Sequence, residues 1–529
     1  MKKYLAPFIV MAFMVSLSWS ARAVAQDQTL AEKLLIILKQ NHQISQGQYD
    51  ELRQEAQREK TAQKAAVKKQ VKEETAQVAK EYKAKNPLNV SASWKHNQIY
   101  FESNDGQFTM HVGGYAQFDF GGATINDQLR NALGSKANTI GSYGAEVRRI
   151  KPTFEGTMFG DFDYKAQIDF GGGSTTLQDA WITYYGLPCI ANVRVGHMKE
   201  PFSLEELTSD EWLEFTERSS ANAFVTANNY SDRNTGIMLF NTEFDQRMTW
   251  AVGGFMQQDN SSGTSFQAYN NVNIAARVTA LPWYANQGCE LVHVGFGFRN
   301  LFRSQNENPN FASSTSATEL EYLSRPEWHL TGLNTVNTGP LMANNVSEIN
   351  PELAFVYGPF SVQGEYFTAF LSDATMYGYT TNAKGKTVWT PQSATSSPDL
   401  SGYYVMASYF ITGEHRVYDP KYGVFARPVP ACNFNPCAGT WGALELAARY
   451  DSIDLNDKTI SGGTEQNYTG SLNWYLNPNV KWAFEYTHAH MNGVIATSAS
   501  NVSTSATLSS YNIHNGDADI FDTRFQVDF

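Results

Sequence analysis

Residues 467–488, NYTGSLNWYLNPNVKWAFEYTH, alternate apolar and polar side chains on both sides of an Asn-Pro-Asn turn. Leu472 and Trp474 share one parity of the first arm, and Trp482 and Phe484 share one parity of the second. A repeat of two residues predicts β-strands, so the stretch predicts a hairpin. Each arm is about nine to ten residues long and has one apolar face, which is typical of a strand with lipid outside a barrel and water inside it.

The same alternation recurs along most of the chain. We expect sixteen strands, at residues 107–120, 144–158, 162–171, 176–187, 190–198, 235–245, 247–257, 266–281, 289–301, 346–357, 360–371, 400–411, 440–452, 466–476, 480–490 and 518–529. An even number places both chain ends on the periplasmic side of a single-chain bacterial barrel. The sequence therefore predicts an all-β transmembrane barrel of 16 antiparallel strands within residues 87–529.

The connections between these strands alternate in length. Short turns are expected at residues 160–161, 186–188, 245–246, 358–359 and 477–479, and long loops at 199–234, 258–265, 302–345, 372–399, 453–465 and 491–517. Short periplasmic turns and long external loops are typical of outer-membrane barrels. Residues 412–440 depart from this rule, because their connection is periplasmic by parity and yet long.

The first 25 residues have the pattern of a secretory signal peptide. Lys2 and Lys3 precede an apolar run at residues 5–19 that is too short to span a membrane, and the small-residue sequence AVA follows. No later segment reaches the roughly 18 unbroken apolar residues that a membrane helix needs. The mature chain is therefore expected to be periplasmic, outer-membrane or secreted, and the predicted barrel favours the outer membrane of a Gram-negative bacterium.

Residues 26–86 differ from the rest of the chain and predict a periplasmic α-helical segment. Ser45 and Gln48 fit a capping box, and Asn86-Pro87 predicts the end of the long helix that follows. The apolar positions of this helix are sparse. Two interpretations stay open: a weak coiled coil between copies of the chain, and a single solvated helix or linker.

Composition and motifs narrow the function. The net charge of −12 argues against nucleic acid as a partner. The sequence contains no G-x-S-x-G, no H-E-x-x-H and no phosphate-cradling glycine loop, so we expect neither an enzyme nor a cofactor or metal site.

Basic side chains occur on the lumen parity of the predicted strands. Arg149 and Lys151 share the lumen parity of the strand at 144–158, and Arg148 can face either way. Lys165 and Arg449 also fall on lumen parity. A charge on the lipid face would cost about 2–4 kcal/mol near the midplane, which favours the lumen. These side chains either pair with carboxylates across the wall or form a ladder of anion-binding groups.

Several stretches together resemble the phosphate-selective porin O and P family. They are VRRIKPTFEG, DAWITYYGLP, VRVGHMKEPFSLEELTSDEWLEFTERSS, GYYVMASYFITGE, GTWGALELAARYDSIDL and NYTGSLNWYLNPNVKWAFEY. The resemblance runs from residue 113 to residue 529. It implies a homotrimeric, sixteen-stranded diffusion channel in outer-membrane lipid, narrowed by loops that fold into the lumen, in which basic side chains bind and pass phosphate or other small anions.

The resemblance also implies that residues 199–218 form the loop at the constriction. Lys199 and Arg218 are its basic positions, and further basic candidates are Arg325, Arg416 and Lys421 in other connections. The same loop carries seven carboxylates: Glu200, Glu205, Glu206, Asp210, Glu211, Glu214 and Glu217. Because selectivity follows the sign of charge at the narrowest point, this acidic loop keeps a second hypothesis open. It is a general or cation-preferring porin that also tethers the outer membrane to the cell wall through its helical segment.

The chain has four cysteines. Cys432 and Cys437 lie five residues apart in the long periplasmic connection, and an oxidising compartment favours a local disulfide between them. Cys189 and Cys289 fall in different turns and are expected to stay separate.

Overall fold

The structure is a computed structural model. It describes residues 38–39, 41, 43–85, 90–95, 98–133, 143–187, 191–226, 232–256, 272–302, 320–381, 387–493, 497–498 and 515–529. The chain divides into two compact units, Met1–Val90 and Ser91–Phe529. The predicted signal peptide at 1–25 lies outside the described residues.

The first unit contains one long helix, α1, at Gln46–Lys85. The Ser45 backbone N–H donates to Gln48 Oε1 at 3.0 Å, and the Gln48 N–H donates to Ser45 Oγ at 3.3 Å. This reciprocal pair is a capping box, which fixes the start of the helix. Leu52 and Val67, two of its few apolar side chains, are exposed. No helix in the described part of the chain is long and apolar enough to cross a membrane.

The second unit is built on a closed antiparallel barrel, for which the described residues supply sixteen strands. Their bounds are β1 Thr109–Ile125, β2 Tyr143–Met158, β3 Phe162–Asp169, β4 Thr176–Leu187, β5 Ala191–Lys199, β6 Arg233–Glu243, β7 Met248–Met256, β8 Val272–Ala285, β9 Glu290–Phe302, β10 Asn345–Tyr357, β11 Phe360–Ser372, β12 Asp399–Phe410, β13 Ala443–Asp457, β14 Ile460–Asn477, β15 Val480–Asn492 and β16 Gly516–Asp528. Each strand pairs with the next along the chain. The last strand pairs with the first, from Ala518 opposite Ile125 to Asp528 opposite Tyr115, which closes the wall.

Shorter elements connect or extend these strands. Two further helices are α2 at Asp127–Leu133 and α3 at Leu204–Leu207, and single 3-10 turns lie at Gly171–Gly173, Ser220–Phe224, Asn286–Gly288, His329–Thr331 and Pro436–Ala438. Further short strands, of which the first two join the sheet of the barrel, lie at Val90–Lys95, Gln98–Ser103, Leu323–Ser324, Leu333–Asn334, Val336–Asn337, Leu341–Met342, Thr375–Thr381, Thr387–Pro391, Val417–Asp419, Val424–Ala426 and Thr497–Ser498. The strand at Gln98–Ser103 pairs with the first residues of β1.

The sixteen predicted strands correspond one to one with the observed ones. One predicted connection is wrong: residues 453–465 do not form a long loop. β13 and β14 extend toward each other and leave only residues 458–459 between them. Ile453, Leu455 and Ile460 of this hairpin are fully buried in a hydrophobic cluster with residues of other connections, such as Phe224 and Tyr322. Burial of this apolar face stabilises the extended strands.

Three of the described connections fold into the barrel. We call residues 200–226 the constriction loop, residues 320–342 the outer flap and residues 417–426 the inner hairpin. Phe202 and Phe224 of the constriction loop pack with Tyr322 of the outer flap and Phe367 of the wall in one buried cluster. The lumen is therefore narrowed by packed chain between the end of the barrel with the short turns and the end with the long loops.

Candidate functional site

A bulge in β2 points two consecutive arginines into the lumen. Gln117 of β1 pairs with Arg149, whereas the next residue, Phe118, pairs with Val147. Arg148 is the extra residue of the bulge. Arg148 and Arg149 therefore both line the lumen. This bulge settles the side on which Arg148 lies, which alternation alone leaves open.

A glycine permits close packing over this bulge. A Cβ atom at Gly171 would stand 2.4 Å from the Arg148 carbonyl oxygen and 2.7 Å from the Arg149 Cα. Any larger residue would collide with the backbone of β2. The 3-10 turn at Gly171–Gly173 thus packs directly against the backbone of Arg148 and Arg149.

Two carboxylates of the constriction loop bind this basic group. Asp210 Oδ2 lies 2.7 Å from Arg149 Nε and 2.8 Å from Lys151 Nζ. Glu217 accepts from Arg148 Nε at 2.7 Å and from Arg148 Nη2 at 2.9 Å. Glu217 Oε2 also lies 3.6 Å from Arg149 Nη2. The loop is thereby held to the wall by charge-assisted hydrogen bonds.

Arg524 of β16 completes this group from the neighbouring side of the wall. Its side chain is fully buried and donates to both carboxylate oxygens of Asp119, each at 2.7 Å. Arg524 Nη2 also lies 2.7 Å from Glu217 Oε1. Glu217 is thus shared by arginines of two strands that are both adjacent to β1.

Four more carboxylates of the constriction loop have basic partners. The pairs are Glu200 with Arg299 at 3.5 Å, Glu205 with Arg449 at 3.3 Å, Glu206 with Lys199 at 2.7 Å and with Arg218 at 3.2 Å, and Glu214 with Arg416. Arg218 donates in addition to the backbone carbonyls of Glu205, Glu206 and Thr208. Its guanidinium therefore stabilises the fold of the loop itself.

The wall also binds the loop backbone. Glu365 of β11 accepts from the N–H groups of Leu204 and Glu205, at 3.0 and 2.6 Å. Glu485 of β15 accepts from the Thr216 N–H at 2.9 Å. Wall carboxylates thus anchor the loop at points where it offers backbone donors.

The same surroundings shift the loop pKa values in opposite directions. Burial alone would raise the pKa of Asp210, but the Lys151 and Arg149 charges outweigh burial and hold it well below its usual range. The arginines around Glu217 likewise hold its pKa well below the usual range, against the effect of burial. For Glu211, burial and the charge of Asp528 both act upward and raise the pKa to about 8.

Two cavities lie on opposite sides of the constriction loop. The short-turn cavity measures about 660 Å³ and the long-loop cavity about 530 Å³. Lys199, Asp210 and Arg233 border both of them, so these three side chains mark the narrow region between the two.

Arg233 is a lumen residue that the sequence interpretation missed. It lies at the first position of β6, 3.4 Å from Asp179 and 2.5 Å from Asp232. The predicted strand starts two residues later, which placed Arg233 in a loop. Arg277 and Arg299 were missed as well, although the strand alternation used for Arg149 would have assigned both to the lumen. Each is buried against a glutamate of β10, Glu352 or Glu348.

The remaining basic candidates fall into two groups. Lys165 lies 3.7 Å from Glu155 and 3.8 Å from Asp179 and is a paired residue of the short-turn cavity. Arg325 of the outer flap and Lys421 of the inner hairpin have no ion pair within the described parts of the chain. Arg325 Nη1 donates to the His329 carbonyl at 3.1 Å and lines the long-loop cavity.

The expected disulfide is not formed in the structure. Cys432 and Cys437 are exposed free thiols, and Cys289 is a half-buried free thiol. Cys437 lies in a turn closed by the backbone, since Asn435 and Thr440 exchange two hydrogen bonds of 2.9 and 3.1 Å. Cys189 lies outside the described residues.

Known proteins resemble this chain over the barrel. The sequence model of the family described as phosphate-selective porin O and P matches residues 111–529. An uncharacterised protein of Caulobacter vibrioides is 26% identical over 355 residues, which cover 65% of this chain and 62% of that protein. Porin O of Pseudomonas aeruginosa is 24% identical over 407 residues, which cover 73% of this chain and 84% of Porin O. The solved structure of the anion-selective porin from Comamonas acidovorans has a TM-score of 0.44 and 9% identity, and the match covers 80% of this chain and 100% of that one.

Proposed function

Because the chain belongs to the phosphate-selective porin O and P family, we propose that this outer-membrane porin passes small anions, phosphate among them, through its loop-constricted lumen. The opposing consideration is the acidity of the constriction loop. Selectivity depends on charge at close range, so the state of those seven carboxylates decides between anion and cation preference.

The observation that carries the proposal is the pairing of these carboxylates. Six of the seven lie within 4 Å of a basic side chain, and the pKa of about 8 keeps the seventh, Glu211, mostly protonated at neutral pH. The loop therefore presents no ring of uncompensated negative charge. Its acidity is used to hold the loop on a basic wall.

The long-loop cavity has basic side chains in its lining, next to carboxylates of the loop and the wall. Arg148, Arg149 and Arg218 line it, each with a carboxylate partner, and Arg325 lines it without one among the described residues. A guanidinium presents several N–H donors in a planar fork that suits phosphate. Arg325 is accordingly the side chain that we expect to bind a permeating anion most directly.

Conductance of the Arg325→Ala variant in planar bilayers tests this function. A charge-assisted hydrogen bond is worth about 1.5–3 kcal/mol, so we expect block of the chloride current by phosphate to weaken about tenfold or more. The variant should also lose part of its anion preference. Lys458→Ala is the matched control, since Lys458 is an exposed cation in the turn between β13 and β14. Equal phosphate block in the wild-type protein and both variants would contradict the proposal.

We propose further that α1 lies in the periplasm as an appendage of a trimer. The barrel strands begin and end at the rim that carries short turns, which faces the periplasm in outer-membrane barrels. A helix of 40 residues reaches about 60 Å at 1.5 Å per residue. A weak coiled coil between copies would cover the exposed side chains of Leu52, Val67 and Val71.

A further inference from the structure

The short-turn cavity is lined by more aromatic and apolar side chains than a path for hydrated inorganic ions requires. Its volume of about 660 Å³ lies within the range of cavities that hold small organic ligands. Trp181, Phe240, Trp250 and Tyr422 present aromatic surface to it, and Met198 and Met238 add further apolar surface. Inorganic phosphate has no apolar surface that could gain from such a lining.

Two cations of this cavity are held by rings instead of carboxylates. The Arg194 guanidinium lies 3.9 Å from the centroid of the Trp181 ring and 5.0 Å from that of Phe240. Lys421 Nζ lies 5.3 Å from the centroid of Tyr185 and 5.0 Å from that of Tyr422. Neither has an ion pair within the parts of the chain that the structure describes.

These groups form one continuous row. The rings of Phe240 and Tyr185 stand edge to face with centroids 6.5 Å apart, and this contact joins the Arg194 group to the Lys421 group. The row runs from β4 and β5 to the tip of the inner hairpin in the order Trp181, Arg194, Phe240, Tyr185, Lys421 and Tyr422, with two adjacent rings between the two cations. Gly423 fixes that tip, because Arg277 donates to its carbonyl at 2.9 Å.

Arg194 keeps free donors for a ligand. Its Nε donates to Thr183 Oγ1 at 2.9 Å, and among the described residues its two terminal nitrogens have no hydrogen-bond acceptor. A guanidinium stacked on an aromatic ring leaves its edge open, and that edge matches the two oxygens of a carboxylate.

Each carboxylate of the same cavity has an ion-pair or hydrogen-bond partner among the described residues. Glu155 and Asp179 pair with Lys165, and Asp210 pairs with Arg149 and Lys151. The others accept hydrogen bonds from neutral groups: Asp163 from Thr157 Oγ1 at 2.8 Å, Asp419 from the Lys421 N–H at 2.9 Å and Glu211 from Ser209 Oγ at 3.1 Å.

We propose that the short-turn cavity binds small aromatic carboxylates. The carboxylate would be held by the free edge of Arg194 and by Lys421, and the ring would lie against Trp250 and Tyr422. This inference rests on the proposed function, since it names an organic anion as a solute of the same lumen. It adds that the solute gains affinity from an apolar body, which inorganic phosphate lacks.

Block of single-channel current by benzoate tests the inference. Benzoate added to the full-length protein in potassium chloride should interrupt the current at lower concentration than acetate, which has the same charge and no ring. Removing one charge-assisted contact should weaken benzoate block about tenfold in Arg194→Gln and in Lys421→Gln. Trp250→Leu should weaken benzoate block and leave acetate block unchanged. Lys421 is an exposed residue of the inner hairpin, so we expect Lys421→Gln to fold. The test therefore remains decisive even if Arg194→Gln fails to fold.

Matched controls separate this inference from the proposed function. Lys458→Gln removes a cation outside the lumen and should leave benzoate block unchanged, and Arg325→Ala should weaken phosphate block without affecting benzoate block. Equal block by benzoate and acetate, equal block by the neutral benzyl alcohol, or unchanged block in Lys421→Gln would each overturn the inference. If Arg325→Ala has no effect while Lys421→Gln weakens benzoate block, the proposed function fails and the aromatic carboxylate site stands.

Discussion

Glu217 is the side chain on which three wall arginines converge. It lies 2.7 Å from Arg148 Nε, 2.7 Å from Arg524 Nη2 and 3.6 Å from Arg149 Nη2. Arg524 and Arg149 each keep a second carboxylate, Asp119 or Asp210, whereas Arg148 has Glu217 alone among the described residues. If Glu217 loses its charge, Arg148 is therefore the arginine that loses its ion-pair partner.

We predict two effects of Glu217→Gln. Removing one partner of a buried ion pair costs about 3 kcal/mol or more, so the free energy of unfolding in guanidinium chloride should fall by about that amount. The freed Arg148 charge should also increase anion preference in reversal-potential measurements. Glu243→Gln, a glutamate at the exposed end of β6, is the control and should change neither quantity. A shift of Glu217→Gln toward cation preference would contradict this account of the pairing.

Glu211 gives the lumen a dependence on pH. Its folded pKa of about 8 lies above the unfolded value of about 4.3, so between these values the folded protein binds the extra proton. Stability consequently declines as the pH rises through that window, and above pH 8 Glu211 is negatively charged. Asp210 and Glu217 behave oppositely: their pKa values are lowered, and the stability that they contribute is lost only as the pH falls below the usual carboxyl range.

We predict that anion preference falls as the pH rises through 8, since Glu211 then adds a negative charge beside the narrow region. Reversal potentials of the wild-type protein and of Glu211→Gln, recorded below and above this pH, provide the measurement. The variant should retain its anion preference above pH 8, and Glu243→Gln should follow the wild type. If anion preference still falls as the pH rises through 8 in Glu211→Gln, another group is responsible for the pH dependence.

Among the elements, the inner hairpin packs closely against the barrel wall at a glycine, Gly423. Gly423 has φ of +66°, and a Cβ atom there would stand 2.9 Å from Thr279 Oγ1 and 3.0 Å from Thr249 Oγ1. Gly439 of the same connection has a similar φ of +72° and no atom within 4 Å. The two positions therefore separate backbone strain from contact with the wall.

We predict that Gly423→Ala displaces the inner hairpin and that Gly439→Ala does not. Both variants bear the strain of a left-handed alanine, about 1–2 kcal/mol. Only Gly423→Ala should also change the single-channel conductance, because its methyl group must move the hairpin away from β7 and β8. Equal conductance of the two variants would show that the hairpin does not narrow the path.

The strands could be predicted from sequence because alternation is a local property. All sixteen barrel strands appear in the pattern, and so does the capping box at Ser45. The bulge at Arg148 could not be predicted, since it depends on the register between two strands. Glu205 pairs with Arg449 and Glu217 pairs with Arg524, and each pair is separated by more than 200 residues in sequence. Alternation assigns a side chain to one face of a strand, but it does not identify the residue with which that side chain pairs.

The same limit explains the wrong prediction at residues 453–465. Ser461, Gly462 and Gly463 are typical of a loop. In the folded chain, a Cβ atom added at Gly462 would stand 2.6 Å from the Leu455 Cβ of β13 and 3.1 Å from the Thr338 Cα of the outer flap. Close approach of another segment, and not a loop, is therefore the reason for glycine at this position.

For the whole molecule, we predict that deletion of residues 26–85 leaves a folded barrel. The two units form separate clusters of contacts, so the barrel does not depend on α1 for its core. The truncated protein should insert into bilayers, shift its mobility on heating in gel electrophoresis and keep the wild-type conductance. If α1 contributes to the proposed trimer, the oligomer of the truncated protein should dissociate in detergent at a lower temperature than that of the full-length protein. Failure of the truncated chain to insert would contradict the separation of the two units.

The sign of the zero-current potential of the full-length protein in a gradient of potassium chloride tests the central claim most directly. The account holds that, once the loop carboxylates are paired, the cations without an ion pair among the described residues outweigh carboxylates such as Asp163 and Asp419; these cations are Arg325, Arg194 and Lys421. The account predicts a potential with the sign of chloride passage, and a reduction of the current when phosphate is added. A potential with the sign of potassium passage would contradict it and would make the seven carboxylates from Glu200 to Glu217 the element that sets selectivity.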